Sequence, residues 1–184
     1  MANENMIVQY VLDQQNPSRL KIAIEIFKSY PEIKRKIIFD FVDKLEYRLK
    51  AEFPTFNVDD SLKDYEHDRY VGISITKHFW QDAYIHLQAQ EWGLGGFTIG
   101  ISKSKASENT WPELFDELNK TYGPGRRQQW WYYYRRVDNF ADWKDDTLIE
   151  LREPGTVDFF VDQFESIRSI AEPIIDSAKG SPLS

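Results

Sequence analysis

The chain has 184 residues, 41% of them hydrophobic and 15% aromatic, with 23 basic against 30 acidic side chains and a formal charge of −7. That length suits one domain of ~100–200 residues, able to bury a real core, and the composition is far from that of a disordered chain. Cysteine is absent, which excludes disulfide frameworks, thiolate zinc sites, iron–sulfur clusters and cysteine nucleophiles. The acidic balance, with a pI near 5.0, argues against indiscriminate polyanion binding but leaves room for a local basic patch.

No apolar run reaches the ~18 residues of a membrane span, and Met1-Ala2-Asn3-Glu4-Asn5 lacks the basic and apolar regions of a secretory signal. The expected location is cytoplasmic. Residues 1–184 are expected to form a single domain, with 1–15 and 177–184 less ordered.

Asn16-Pro17 opens the first element, with Asn16 placed to cap and Pro17 at the first helical position. Leu20, Ala23, Ile24, Phe27 and Tyr30 form its apolar stripe. Pro31 is expected to interrupt this helix and start a second, striped by Ile33, Ile37, Phe41, Leu45 and Leu49 and closed by Pro54. Phe56 to Asp68 reads as a polar, acidic loop. The apolar period then changes to two: Val71, Ile73 and Ile75, then Ile85, Leu87 and Ala89, then Phe97, Ile99 and Ile101. These are three half-buried strands whose short connections specify an antiparallel meander.

Thr110 and Glu113 have capping-box spacing ahead of a short helix, which Gly123-Pro124-Gly125 stops. Gln128 to Val137, with Trp130, Trp131, Tyr132, Tyr133 and Tyr134, reads as a strand covered on both faces. Leu148 to Leu151 is expected to add a last short strand. Thr156 then caps a final helix striped by Val157, Phe160, Val161, Phe164, Ile167 and Ala171. The fold expected is α+β, an antiparallel meander sheet of about four to five strands packed with about four helices.

Catalytic constellations fail on spacing. His78, Asp82 and His86 would share a face only on a helix, and the alternation from Tyr84 to Gln90 specifies a strand. Asp64, Glu66, His67 and Asp68 lack the glycine and ligand spacing of a calcium loop. Gly93-Leu94-Gly95-Gly96 leads into a strand rather than a helix, so it reads as a turn and not as a phosphate cradle. No metal site and no cofactor is assigned.

The unusual segment is Arg126-Arg127-Gln128-Gln129-Trp130-Trp131-Tyr132-Tyr133-Tyr134-Arg135-Arg136, where four arginines surround five consecutive aromatics. Arginines interleaved with flat rings serve nucleic-acid stacking platforms, or else core packing with the arginines snorkelling at the sheet edge, or a protein interface, and core or protein interface is the favoured expectation. By the two-residue period, Trp130, Tyr132 and Tyr134 share one face, expected to pack on the long second helix. Trp131, Tyr133 and Arg135 share the other, beside Tyr84 and His86 on the polar row. The candidate binding residues are Arg126, Arg127, Trp131, Tyr133, Arg135, Arg136, Tyr84 and His86.

The meander around Tyr70-Val71-Gly72-Ile73 and Phe97-Thr98-Ile99-Gly100-Ile101, then Trp130-Trp131-Tyr132, Asp142-Trp143 and the closing helix, resembles the region after the catalytic core in some bacterial PD-(D/E)XK-superfamily nuclease-like proteins. The resemblance spans roughly 36–178 and implies a bacterial or phage setting. It carries no catalytic residue: the acid-x-lysine triplets Glu32-Ile33-Lys34 and Asp142-Trp143-Lys144 lie outside the strands, where the sheet offers Ile75-Thr76-Lys77. The function expected is a non-catalytic accessory domain recognising a protein partner, with self-association left open. A nucleic-acid-binding module is the alternative, and a small metal-dependent hydrolase using His67, Asp64 and Glu66 or His78 with His86 is the second.

Overall fold

The computed structural model describes residues 2–80, 82–106 and 111–180, and its contacts divide the chain into two compact units, 1–37 and 38–184. Helix α1 spans Ala2–Val11 and α2 spans Ser18–Glu52, so α2 begins in the first unit and ends in the second. The break expected at Pro31 does not occur; the proline lies inside α2. A proline at that point removes one backbone donor, and the rest of a 35-residue helix outlasts that loss. At the start of α2 the Ser18 hydroxyl donates to Asn16 Oδ1 at 2.6 Å.

The second unit holds an α+β fold built on six antiparallel strands: β1 Asn57–Asp60, β2 Gly72–Thr76, β3 Tyr84–Gln88, β4 Thr98–Ser102, β5 Arg126–Gln128 and β6 Trp131–Arg136. Their order is β1-β2-β3-β4-β6-β5, so the meander runs through four strands and the β5–β6 hairpin then adds on beside β4. Strand β1 replaces part of the expected loop, since Asn57-Val58-Asp59-Asp60 offers one apolar residue and no alternation to mark a strand. As an edge strand it buries little, and its charges suit an edge.

Helices α3 Pro112–Thr121, α4 Asp145–Glu150 and α5 Thr156–Gly180 complete the unit, together with the last part of α2. The strand expected over Leu148–Leu151 is therefore a correction: Asp145–Glu150 forms a short helix that buries Thr147 and Leu148 and leaves Ile149 outside. Thr110, half of the expected capping box, lies outside the described residues, as do 181–184 of the expected loose end.

Period-two alternation sorts the sheet into two faces. Ile73, Ile75, Ile85, Leu87, Ile99 and Ile101 are fully buried or nearly so against the helices. Ile38, Phe41, Val42, Leu45 and Leu49 of α2 and Phe160, Phe164, Ile167, Ala171 and Ile175 of α5 complete that core. Trp143 stacks on Phe97 with ring centroids 4.4 Å apart and takes the edge of Phe41 at 5.4 Å, and Phe41 in turn meets Phe160 at 5.5 Å. The opposite face carries Gly72, Ser74, Tyr84, His86, Gln88, Thr98, Gly100 and Ser102, which are small or polar. No helix among the described residues is long and apolar enough to cross a membrane.

Candidate binding cleft on the open sheet face

Register aligns the open face into cross-strand rows. One row runs Asp59, Ser74, His86, Gly100, Tyr134, Arg126 across all six strands. A second places Tyr84 beside Ser102, Ser102 beside Trp131 and Trp131 beside Gln128. Between Ile101 and Ser102 the β4–β6 register shifts, because Ser102 pairs Trp131 while Ile101 pairs Tyr133. An extra residue in one strand reverses the facing of the residues beyond it.

That bulge corrects the expected division of the aromatic strand. Trp131 joins Tyr134 on the open face, with ring centroids 5.7 Å apart. Tyr133 turns to the helical side, where it packs against Phe115 and Tyr122 and donates a 2.7 Å hydrogen bond to the Gly123 carbonyl. Tyr132 meets the edge of Trp111 and lies beneath the Lys103 ammonium rather than covering α2. Trp130 precedes β6 and is 47% exposed.

The result is a cleft of about 1120 Å³. Tyr84, His86 and Trp131, three of the candidate binding residues, line it together. The His86 and Trp131 rings stack at 5.8 Å, and His86 Nδ1 shares a hydrogen bond of 3.1 Å with the Ser102 hydroxyl. Nε2 lies directly over Gly72, where a Cβ would collide with it, so glycine is what lets the ring lie flat in the floor. Packed this way the imidazole is costly to charge, and burial lowers its pKa from the usual value to about 4. At neutral pH it is an uncharged hydrogen-bonding ring.

Around this floor stand amides that sequence reasoning did not select, Gln90, Gln128 and Gln129, together with Gln88, Trp130 and Tyr70. Gln88 and Gln90 continue the alternation of Tyr84 and His86, and that continuation is the sequence signal for them. Gln90 Nε2 donates to Gln88 Oε1 at 2.9 Å and to Thr98 Oγ1 at 3.2 Å, and Gln88 Nε2 donates to the Tyr70 carbonyl at 3.2 Å. Gln88 and Gln90 thereby hold fixed orientations.

The remaining candidates disperse. Arg135 donates to the Tyr122 carbonyl at 3.1 Å and lies over the Tyr122 ring, so it serves the β6–α3 junction. Arg136 reaches Asp142 at 3.4 Å. Arg127 covers the Phe115 ring at 4.6 Å, and exposed Arg126 ends the row that contains His86. The four arginines form no continuous strip along the aromatic rings.

The chemistry open to the cleft depends on these placements. Ser102 and His86 are a hydroxyl and a base within hydrogen-bonding reach, but a nucleophile pair also needs a group that orients the base. Asp59, the carboxylate lining the cleft, is two strands away from His86, about 10 Å at ~4.8 Å per strand. No group of three His, Asp or Glu side chains able to hold a metal occurs among the described residues. Asp142 accepts from the Gly96 amide at 2.9 Å and Trp143 is core, so the acid-x-lysine triplet there holds a loop in place. Lys77 is taken up by Glu172 and Asp176 of α5. Comparison of the chain with family models, with curated proteins and with solved structures gives no match.

Proposed function

We propose that the protein is a non-catalytic binding module whose open sheet face recognises an extended, largely uncharged segment of a protein partner. What carries the reading is the cleft: a broad concavity floored by neutral His86 on Trp131, rimmed by exposed Trp130, and lined by glutamine amides of which Gln88 and Gln90 are oriented by hydrogen bonds. Amide side chains pair donor for acceptor with peptide groups, and a flat exposed indole gives contact area at little entropic cost. Four glutamines against one lining carboxylate and one buried lysine make the surface nearly neutral. A polyanion would find little there to neutralise.

Selection of displayed random linear peptides on the full chain, followed by fluorescence titration of the enriched sequences, tests this reading. The expected result is enriched peptides whose affinity falls at least tenfold on Trp130→Ala and on Gln88→Ala, with the fold unchanged by circular dichroism. Failure to enrich any sequence, or enriched peptides that bind both variants as tightly as the parent, overturns it. Steeply salt-dependent binding to single-stranded or duplex nucleic acid, abolished when Arg126, Arg127, Arg135 and Arg136 become glutamine, would put the nucleic-acid reading in its place.

A further inference from the structure

The buried apolar core described above begins at Ile38, yet the sequence before it is rich in large apolar residues. Twelve of the eighteen exposed large hydrophobic side chains among the described residues fall within the first 37 positions, a fifth of the chain. Phe27 is 81% exposed, Ile7 67% and Ile26 57%. Scattered single exposures are ordinary on any protein surface, but a concentration of this size marks an interaction surface. At about 80–100 Å² for each half-exposed large side chain, the twelve present on the order of 1,000 Å². That total, summed over both helices, is of the order of the ~800 Å² that each partner brings to a standard interface.

The pattern within α2 says what kind of neighbour this surface suits. Ala23, Ile26, Tyr30, Ile33 and Ile37 recur at alternating spacings of three and four, the seam of a helix that pairs with another helix. Ile22 and Phe27 flank the seam. At 100° per residue, the apolar positions from Ile22 round to Ile24 span roughly 200°, twice the minimum stripe that a core-facing helix needs. Lys21, Lys28 and Arg35 repeat every seven residues on the far side with Glu25 and Glu32 between them, and Lys28 pairs with Glu25 at 3.5 Å. Pro31 falls about 120° round from the centre of the seam, between Leu20 and Ile24 at the edge of the apolar arc, so the seam itself is uninterrupted.

We propose that residues 6–37 are a self-association element through which two copies of this chain pair, the seam of one α2 against the seam of the other with the apolar residues of α1 widening the contact. A second copy fits because a two-fold interface needs one self-complementary patch, and a heptad seam is such a patch. The summed exposed area leaves enough apolar surface for one partner's side of a stable pair. This inference concerns the first unit and does not depend on the cleft.

The absence of cysteine makes a direct experiment available, since one introduced thiol is a unique reporter. The full chain, sedimented from about 1 to 100 µM, is expected to run as a dimer that dissociates on dilution. Ile26→Glu with Ile33→Glu is expected to weaken pairing at least a hundredfold. The near-UV spectrum should stay the same, because all six tryptophans lie beyond residue 37 and report on the second unit. Treated with a flexible bis-maleimide linker, Ile26→Cys is expected to give a covalently linked dimer whichever way the two helices run, while Lys120→Cys on α3 stays monomeric. A monomer at every concentration overturns the proposal. So does a dimer indifferent to the double substitution and without the Ile26→Cys cross-link, which would place the interface elsewhere. Co-sedimentation of a monomeric chain with phosphatidylcholine–phosphatidylglycerol vesicles overturns it in favour of a lipid surface.

Discussion

His86 has its ring between Trp131 and the backbone of Gly72, with one nitrogen committed to Ser102. The consequence for stability depends on which state takes up a proton. In the unfolded chain an imidazole titrates near pH 6.5, whereas burial lowers the folded value to about 4. Below pH 6.5 the unfolded state binds a proton that the folded state refuses, so stability present above that pH is lost as pH falls toward 4. One pH unit of such imbalance is worth at most ~1.4 kcal/mol, and the water-facing side of the ring reduces this, leaving on the order of 1–3 kcal/mol across the window. Urea unfolding at pH 8, 7, 6 and 5 checks it: the parent should lose stability relative to His86→Gln as pH falls below 7, the difference between the two staying constant above that pH. Curves that stay parallel between pH 7 and 5 would show that the ring already accepts a proton in the folded state. The readable part of this residue was its place on a polar strand row. Its neutrality was not readable, because that depends on Trp131, and Trp131 reaches it only through a bulge in a strand distant in sequence.

Among elements, the contrast between β6 and α5 shows where sequence pattern suffices. The stripe of α5, from Phe160 to Ala171, packs as its 3.6-residue spacing specifies, because nothing interrupts the period. In β6 one register shift sends Tyr133 to the helices and Trp131 to the cleft, and no local signal in a run of five aromatics announces it. Strand β1 was silent for a different reason: it adds hydrogen bonds to β2 without adding a hydrophobic row. The join between β2 and α5 is similarly invisible in a linear sequence. Lys77, just past β2, places its ammonium between Glu172 and Asp176, and Asp176 also accepts from the Trp80 indole at 2.7 Å. Burial opposes the charge on Lys77, but the hydrogen bonds it donates to these two carboxylates outweigh it and hold its pKa above the usual value. Lys77→Met leaves Asp176 without its cation and Glu172 with Arg168 alone. Because both remain partly solvated, the expected loss is about 1–3 kcal/mol, read as a lower urea midpoint with unchanged slope. A midpoint within error of the parent would mean that solvent already screens the cluster and that apolar packing alone fixes α5 on the sheet.

At the scale of the whole molecule, the division at residue 37 separates two ways of using apolar residues. Before it most of the large ones are exposed along helices; after it most fill one continuous core shared by the sheet, α5 and the last part of α2. A single helical period runs through both parts of α2, so sequence could mark its residues as apolar but could not tell which of them the chain itself would cover. The separation predicts the behaviour of a fragment of residues 38–184. It retains every buried hydrophobic residue of the core, from Ile38 to Ile175, and all six tryptophans. Unfolding of that fragment in urea, followed by tryptophan fluorescence, is expected to remain a single cooperative transition. Because the denaturant slope scales with the surface newly exposed, and residues 1–37 bury little, the slope should stay within about 15% of that of the full chain. The two proteins should differ in their response to concentration. The midpoint of the full chain rises as protein is added, because pairing stabilises the folded form by mass action, while the fragment keeps one midpoint throughout. A fragment that unfolds gradually, without a baseline before its transition, would instead show that the first half of α2 supplies stability that the core beyond Ile38 cannot provide alone.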